Sequence, residues 1–138
     1  MDHSCMDSKV GQIPNIEEIR KIFKPDSIQN IIQRLEESNT DFSIACQKMM
    51  LPMSPLSMAV VFEQIVRGSK MTIKEVFEME YKIAAGFLDH TEFYEGVRAL
   101  LVDKDKNPQW KYQHVKQVKD QDIAHFFDRK ETIDLTLH

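Results

Sequence analysis

Apolar residues along this chain recur at steps of three and four, the spacing that lines one face of an α-helix. Ile28, Ile31, Ile32 and Leu35 share a face within 26–38. Ile73, Val76, Phe77, Ala84, Phe87 and Leu88 do so within 73–90, and Phe93, Val97, Leu100 and Leu101 within 92–102. After Ser54 the pattern changes in kind: Leu56, Met58, Ala59, Val60, Val61, Phe62, Ile65 and Val66 nearly encircle a helix, which therefore needs cover on most sides. There is no long alternating run, no Asn-Gly or Asp-Gly hairpin turn, and only four glycines. The pattern predicts an all-α fold, a helical bundle without a β-sheet.

Helix starts sharpen the boundaries. Asn15 with Glu18, and Asp26 with Gln29, pair a capping side chain with an acid or amide three residues on. Ser54 before Pro55 opens a helix that Gly68 is expected to close in a left-handed conformation. Thr72 and Glu75 form a capping box, with Met71 and Val76 placed as a hydrophobic staple. The stretch 103–118, with its charges and Pro108, has no helical period and reads as a connector; Trp110 and Tyr112 are expected to dock it. A short helix opened by Asp120 follows near 120–128. The chain thus reads as a single helical domain over 1–138, with a flexible leading segment 1–14 and a tail 129–138.

Composition narrows the function classes. The chain has 138 residues, 42% of them hydrophobic and 29% charged, as in ordinary globular domains. Its net charge of -4 gives nucleic acid no electrostatic driver. No run of about 18 apolar residues suggests a membrane span, and the opening MDHSCMDSK has the pattern of neither a secretory signal nor a transit peptide. Two isolated cysteines, Cys5 and Cys46, suit a reducing compartment, and Cys46 sits in an apolar pattern with Phe42 and Met49, as a core residue would. The histidines at 3, 90, 114, 125 and 138 include no pair at i, i+4, so no metal site is expected. His90 falls where a helix should end, and a protonated ring would suit that dipole.

The segment Ser54 to Val118 carries more specific signals: Ser54-Pro55 opening a helix, Met79-Glu80-Tyr81, Phe93 followed by Glu95-Gly96-Val97-Arg98-Ala99, and Asp103-Lys104-Asp105 leading to Pro108 and Trp110. These resemble the C-terminal region of the 3-hydroxyisobutyryl-CoA hydrolases, in the crotonase superfamily, and the similarity extends upstream over Ile16 to Met53. The resemblance implies hydrolysis of an acyl-CoA thioester in valine breakdown, a mitochondrial setting, and CoA as part of the substrate with no separate cofactor. It also implies a partner. The family's CoA groove, oxyanion amides and acidic catalytic residues lie in an α/β core, and no position here matches the motifs that bear them. The chain is therefore expected to be the C-terminal helical part of such an enzyme, a fragment or one chain of a split protein. It would be inactive alone and meet acyl-CoA only through a crotonase-type core in the same or a separate chain. The alternative is a non-catalytic interaction or assembly module derived from the family.

No catalytic residue is assigned, since thioester hydrolysis needs oxyanion donors and a positioned carboxylate or imidazole, and no such constellation is legible. Arg98, Lys104 and Lys106 are candidate contacts for CoA phosphates, against the plainer reading of ordinary helix-surface and connector charges. Glu80 falls within the apolar face of the 73–90 helix, so it reads either as a functional carboxylate or, more plainly, as a buried one paired with an arginine or backbone amides, Arg98 being a plausible partner. The methionines at 49, 50, 53 and 58 suit either core filling or an adaptable docking surface.

Overall fold

The computed structural model describes residues 15–130; the expectations for 1–14 and for most of the tail lie outside that range. Within it the chain is helical, with no strand among the described residues. The helices are α1 (Ile16–Ile22), α2 (Ile28–Ser38), α3 (Asp41–Met50), α4 (Pro55–Gly68), α5 (Ile73–Leu88), α6 (Thr91–Val97) and α7 (Asp120–Phe127). A π-turn (Arg98–Val102) prolongs α6, and a 3-10 turn (Val115–Gln117) interrupts the connector.

The core forms where the period of α2 meets the apolar α4. Ile28, Ile31, Ile32 and Leu35 of α2 are all buried, together with Leu56, Ala59 and Val60 of α4. Ile22 closes one end, Met79 and Ile83 of α5 and Phe126 and Phe127 of α7 close the other, and Val115 and Val118 seal the side. The α5–α7 contact is close because position 86 has no side chain. A Cβ on Gly86 would lie 2.7 Å from Cδ1 of Phe126, and the Phe126 ring stacks 4.5 Å from that of Phe87. Arg67 covers the outer face of Phe127, its guanidinium 4.4 Å from the ring centroid.

Several local expectations are corrected. Asn15 precedes α1 in a left-handed conformation and caps it with no side-chain bond; only its carbonyl joins the helix, accepting from the Ile19 amide at 2.8 Å. Ser27, not Asp26, caps α2, its hydroxyl accepting from the Asn30 amide at 3.1 Å. Asp26 is drawn to a stronger partner: Arg34 grips both its oxygens at 2.7 and 2.8 Å while donating to the carbonyls of Ile22 and Lys24, which pins the α1–α2 linker. Gly68 is the last residue of α4 and no glycine has a positive φ among the described residues, so it supplies no left-handed stop. Asp120 does open α7, as expected, and Lys119 precedes it at the cap. Helix α3, capped by Thr40 and Ser43, was not among the starts read from the sequence.

The apolar faces of α5 and α6 are corrected more deeply. Met79, Ile83 and Gly86 are the buried residues of α5, whereas Ile73 is 74% and Leu88 54% exposed, with Phe77 exposed as well. Tyr81 and Ala84 lie exposed between them, so a second apolar stripe runs along α5 at heptad spacing, uncovered among the described residues. After α6, Leu100, Leu101 and Val102 are each more than 60% exposed, because the π-turn swings them outward and buries Ala99. Val61 and Ile65 extend the pattern to α4. The amphipathic logic holds for these helices; the partner that their second faces ask for is not among the described residues.

Candidate functional site

The charged cluster at the end of α6 grows from local rules. His90 opens α6, its Nδ1 accepting from the Glu92 amide at 3.3 Å. An imidazole that accepts there is neutral, and burial, with Lys111 nearby, lowers its pKa from the ordinary value. His90 therefore caps a helix N-terminus, opposite to the protonated C-terminal role expected of it.

Glu92, in the first turn of α6, is the buried acid among the described residues, only 3% exposed. It accepts from the hydroxyl of Ser54, itself the buried cap of α4, and from the Lys111 amide at 2.7 Å. Glu80, by contrast, is exposed and bonded to Gln64. Its neighbours Phe77 and Ala84 face outward, so the face on which burial was expected is open. One carboxylate thus fastens three elements, α4, α6 and the connector. The connector docks as expected of Trp110: the ring fits against Gly96, where a Cβ would come within 3.3 Å, and its N–H donates to the Pro52 carbonyl at 2.9 Å.

Arg98 lies one turn beyond Glu95. Its guanidinium donates to Glu95 through Nε and Nη2 at 2.8 and 2.7 Å, to Asp103 at 2.6 Å, to Asp105 at 2.8 Å and to the Asn107 carbonyl at 3.4 Å. A guanidinium has five N–H donors, and all five have acceptors within the chain. Arg98 accordingly holds Glu95 down to about 2, assisted by the Gln109 amide, and lowers Asp105 as well; its own pKa is raised. Sequence reasoning paired Arg98 with Glu80 and missed this clamp. The i, i+3 relation to Glu95 was the available signal; the closure onto Asp103 and Asp105 depends on how the π-turn ends.

Lys104 and Lys106 flank Asp105 at that end. Both hold left-handed backbones, with φ of 57° and 55°. Lys104 follows the last helical turn, where the Asp103 amide closes on the Arg98 carbonyl at 2.8 Å, and the Lys106 amide closes on the Ala99 carbonyl at 3.0 Å. Glycine is the usual occupant of such positions because a Cβ costs about 1 to 2 kcal/mol there. Lys106 also borders an apolar groove of about 510 Å³, lined by Met53, Phe93, Leu100, Leu101, Pro108 and Trp110. A second groove of similar size lies between α2 and α4, where Met53 and Met58 join Phe23, Phe62 and Ile65. Methionines therefore serve on open surfaces here as well as in the core.

This arrangement can bind and orient, and it offers little to break bonds. Burial raises the Cys46 thiol pKa, the opposite of what a nucleophile needs. Glu92 is committed to Ser54 and Lys111, and no group of three or more His, Cys, Asp or Glu among the described residues could hold a metal. No single helix among them is long and apolar enough to cross a membrane.

Comparison with known proteins places these features. The profile of the family described as Enoyl-CoA hydratase/isomerase matches residues 2–127. A mouse protein, "3-hydroxyisobutyryl-CoA hydrolase, mitochondrial", is 35% identical over 88% of this chain and 31% of its own length. The Dictyostelium discoideum protein of the same name is 38% identical over 82% of this chain and 30% of its own. Among solved structures, an enoyl-CoA hydratase from Rhodobacter sphaeroides superposes with a TM-score of 0.78 at 28% identity, covering 92% of this chain and 37% of that one. The chain thus spans about a third of the length of the relatives it matches.

Proposed function

The chain belongs to the enoyl-CoA hydratase/isomerase family, and we propose that it is the helical part of a 3-hydroxyisobutyryl-CoA hydrolase-like protein whose thioester chemistry is carried by a crotonase-type α/β core. The observation that supports this reading most is the identity to proteins of that name over nearly all of this chain but a third of theirs. In this reading the core, in the same polypeptide or a separate one, packs on the open faces of α4, α5 and the π-turn, where Ile65, Ile73 and Leu100 stand more than half exposed. Burying such side chains is worth about 1.5 to 3 kcal/mol each, ample to drive assembly. The substrate is an acyl-CoA that reaches these helices through the core. Its phosphates meet Lys104 and Lys106, with Arg98 behind them, and the setting is mitochondrial, after the names of the relatives.

The test is release of free thiol from 3-hydroxyisobutyryl-CoA by the chain, by a crotonase-type core fragment, and by the two mixed. Turnover only in the mixture is the expected result. Turnover by the chain alone would overturn the reading. Stable association with the core but no turnover would move the assignment to a non-catalytic assembly module, which the exposed apolar stripes also suit.

A further inference from the structure

Five acceptors of the chain occupy the five donors of Arg98, and the residues that supply them bracket Lys104 and Lys106 from both sides. A phosphate could reach the guanidinium only by displacing one of these acceptors, four of which are carboxylate oxygens held by charge-assisted hydrogen bonds. The two lysines hold the left-handed backbones that favour glycine. Such a conformation persists in a lysine only where its surroundings over-determine it. Asp103 precedes Lys104, Asp105 separates the lysines, and Asn107 follows Lys106; Arg98 holds all three, and Glu95 steadies the fork from the helix while accepting the Gln109 amide at 2.7 Å.

We infer that Arg98 is a positioning residue: it fixes the 103–107 turn, in which Lys106 borders the apolar groove lined by Trp110 and Lys104 lies two residues before it, so that the two lysines serve as a paired cation for the phosphates of an amphipathic ligand. This rests on the reading above, in which that ligand is an acyl-CoA, and it assigns Arg98 an indirect part. Lysine in place of arginine separates the two roles. A direct phosphate contact survives as a point charge in Arg98→Lys, whereas one ammonium lacks the planar fork that reaches Glu95, Asp103, Asp105 and Asn107 at once.

The experiment measures, by calorimetric titration with free CoA, the increase in CoA affinity that the chain adds to a crotonase-type core fragment. Wild type, R98A, R98K, the pair K104A/K106A and the triple variant R98A/K104A/K106A are compared, each checked by circular dichroism for unchanged helix content. R98A and R98K are both expected to lose about tenfold in affinity, the scale of one charge-assisted hydrogen bond. The triple variant should be no weaker than K104A/K106A. A further loss in the triple variant, or recovery in R98K, would make Arg98 a contact in its own right and overturn the positioning role. Loss on removing the lysines with R98A unaffected would overturn it too, leaving the CoA reading intact. No gain in affinity from the wild-type chain would remove the reading on which the inference rests.

Discussion

Replacing Glu92 by alanine removes the one carboxylate that ties α4, α6 and the connector together. Two bonds are lost, from the Ser54 hydroxyl and from the Lys111 amide. Hydrogen bonds to a charged group contribute about 1.5 to 3 kcal/mol each, and a buried donor left unpaired adds a desolvation cost of similar size. The two donors differ in how they recover. Ser54 is 4% exposed and has no water to turn to, whereas Lys111 is exposed and its amide can rehydrate. The expected loss is therefore about 3 kcal/mol, most of it from the α4 side. Glu92→Gln keeps the volume and one acceptor for Lys111, so about 1 kcal/mol is expected. Urea unfolding followed by circular dichroism and by the fluorescence of Trp110, the single tryptophan, reads both effects. In the alanine variant the fluorescence change should precede the loss of helix, since Trp110 rides on the strap that Glu92 fastens. An alanine variant within about 0.5 kcal/mol of wild type, or a glutamine variant as unstable as the alanine one, would refute the assignment of Glu92 as the latch.

Two glycines should respond to alanine in opposite directions. Gly86→Ala is expected to destabilise by about 1 to 3 kcal/mol, because the new Cβ meets Phe126 at 2.7 Å and overpacking outweighs the gain in helix propensity; calorimetry showing a higher Tm would count against that packing. Gly68→Ala should stabilise by up to about 1 kcal/mol, since its Cβ would meet only Met79 and Val76 at ordinary distances, 3.6 and 3.8 Å, and the residue is helical; a clear loss would restore the left-handed stop read from the sequence. His90 predicts a pH dependence. Its pKa in the fold is lowered, so as pH falls through the unfolded value of about 6.5 the unfolded chain takes up the proton first and stability declines. Urea midpoints from about pH 7.5 to about pH 5.5 should show that slope, and His90→Asn, which retains a capping acceptor, should reduce it; an unchanged slope would place its origin elsewhere.

How far the sequence reached depended on the range of the interaction. The α2 face, the Ser54 and Thr72 caps and the docking of Trp110 were legible because each is written in residues a few positions apart, or in one side chain too apolar to leave in water. Asp26 was misread because two uses compete for one carboxylate, and an arginine eight residues on outbids an orphan amide. Glu92 escaped notice since an acid in a first helical turn is ordinary; what makes it unusual is Ser54, 38 residues earlier, which only the fold brings to it. For α5 the periodicity itself misled. Apolar residues cover two faces of that helix, one turned to Phe126 and one to the outside, and a single hydrophobic stripe drawn through both predicts burial for residues such as Ile73 that stand open.

The two arginine clamps explain why a chain with such large open faces still has defined linkers. Arg34 grips Asp26 and two carbonyls of the α1–α2 turn, and Arg98 grips three acids and a carbonyl around the π-turn, so each stretch without regular hydrogen bonding is held by one planar fork. Exposed single ion pairs are worth little, but a bidentate arginine that also satisfies carbonyls fixes geometry as well as charge. That geometry would have to exist before a partner arrives. Apolar association is non-directional and would seat the second face of α5 in several registers, whereas turns already held at the ends of α1 and α6 limit the choices to those in which the polar edges also match. The open stripes thus provide driving force and the clamps provide register. On this argument, loss of a clamp should broaden the set of docked arrangements before it weakens binding.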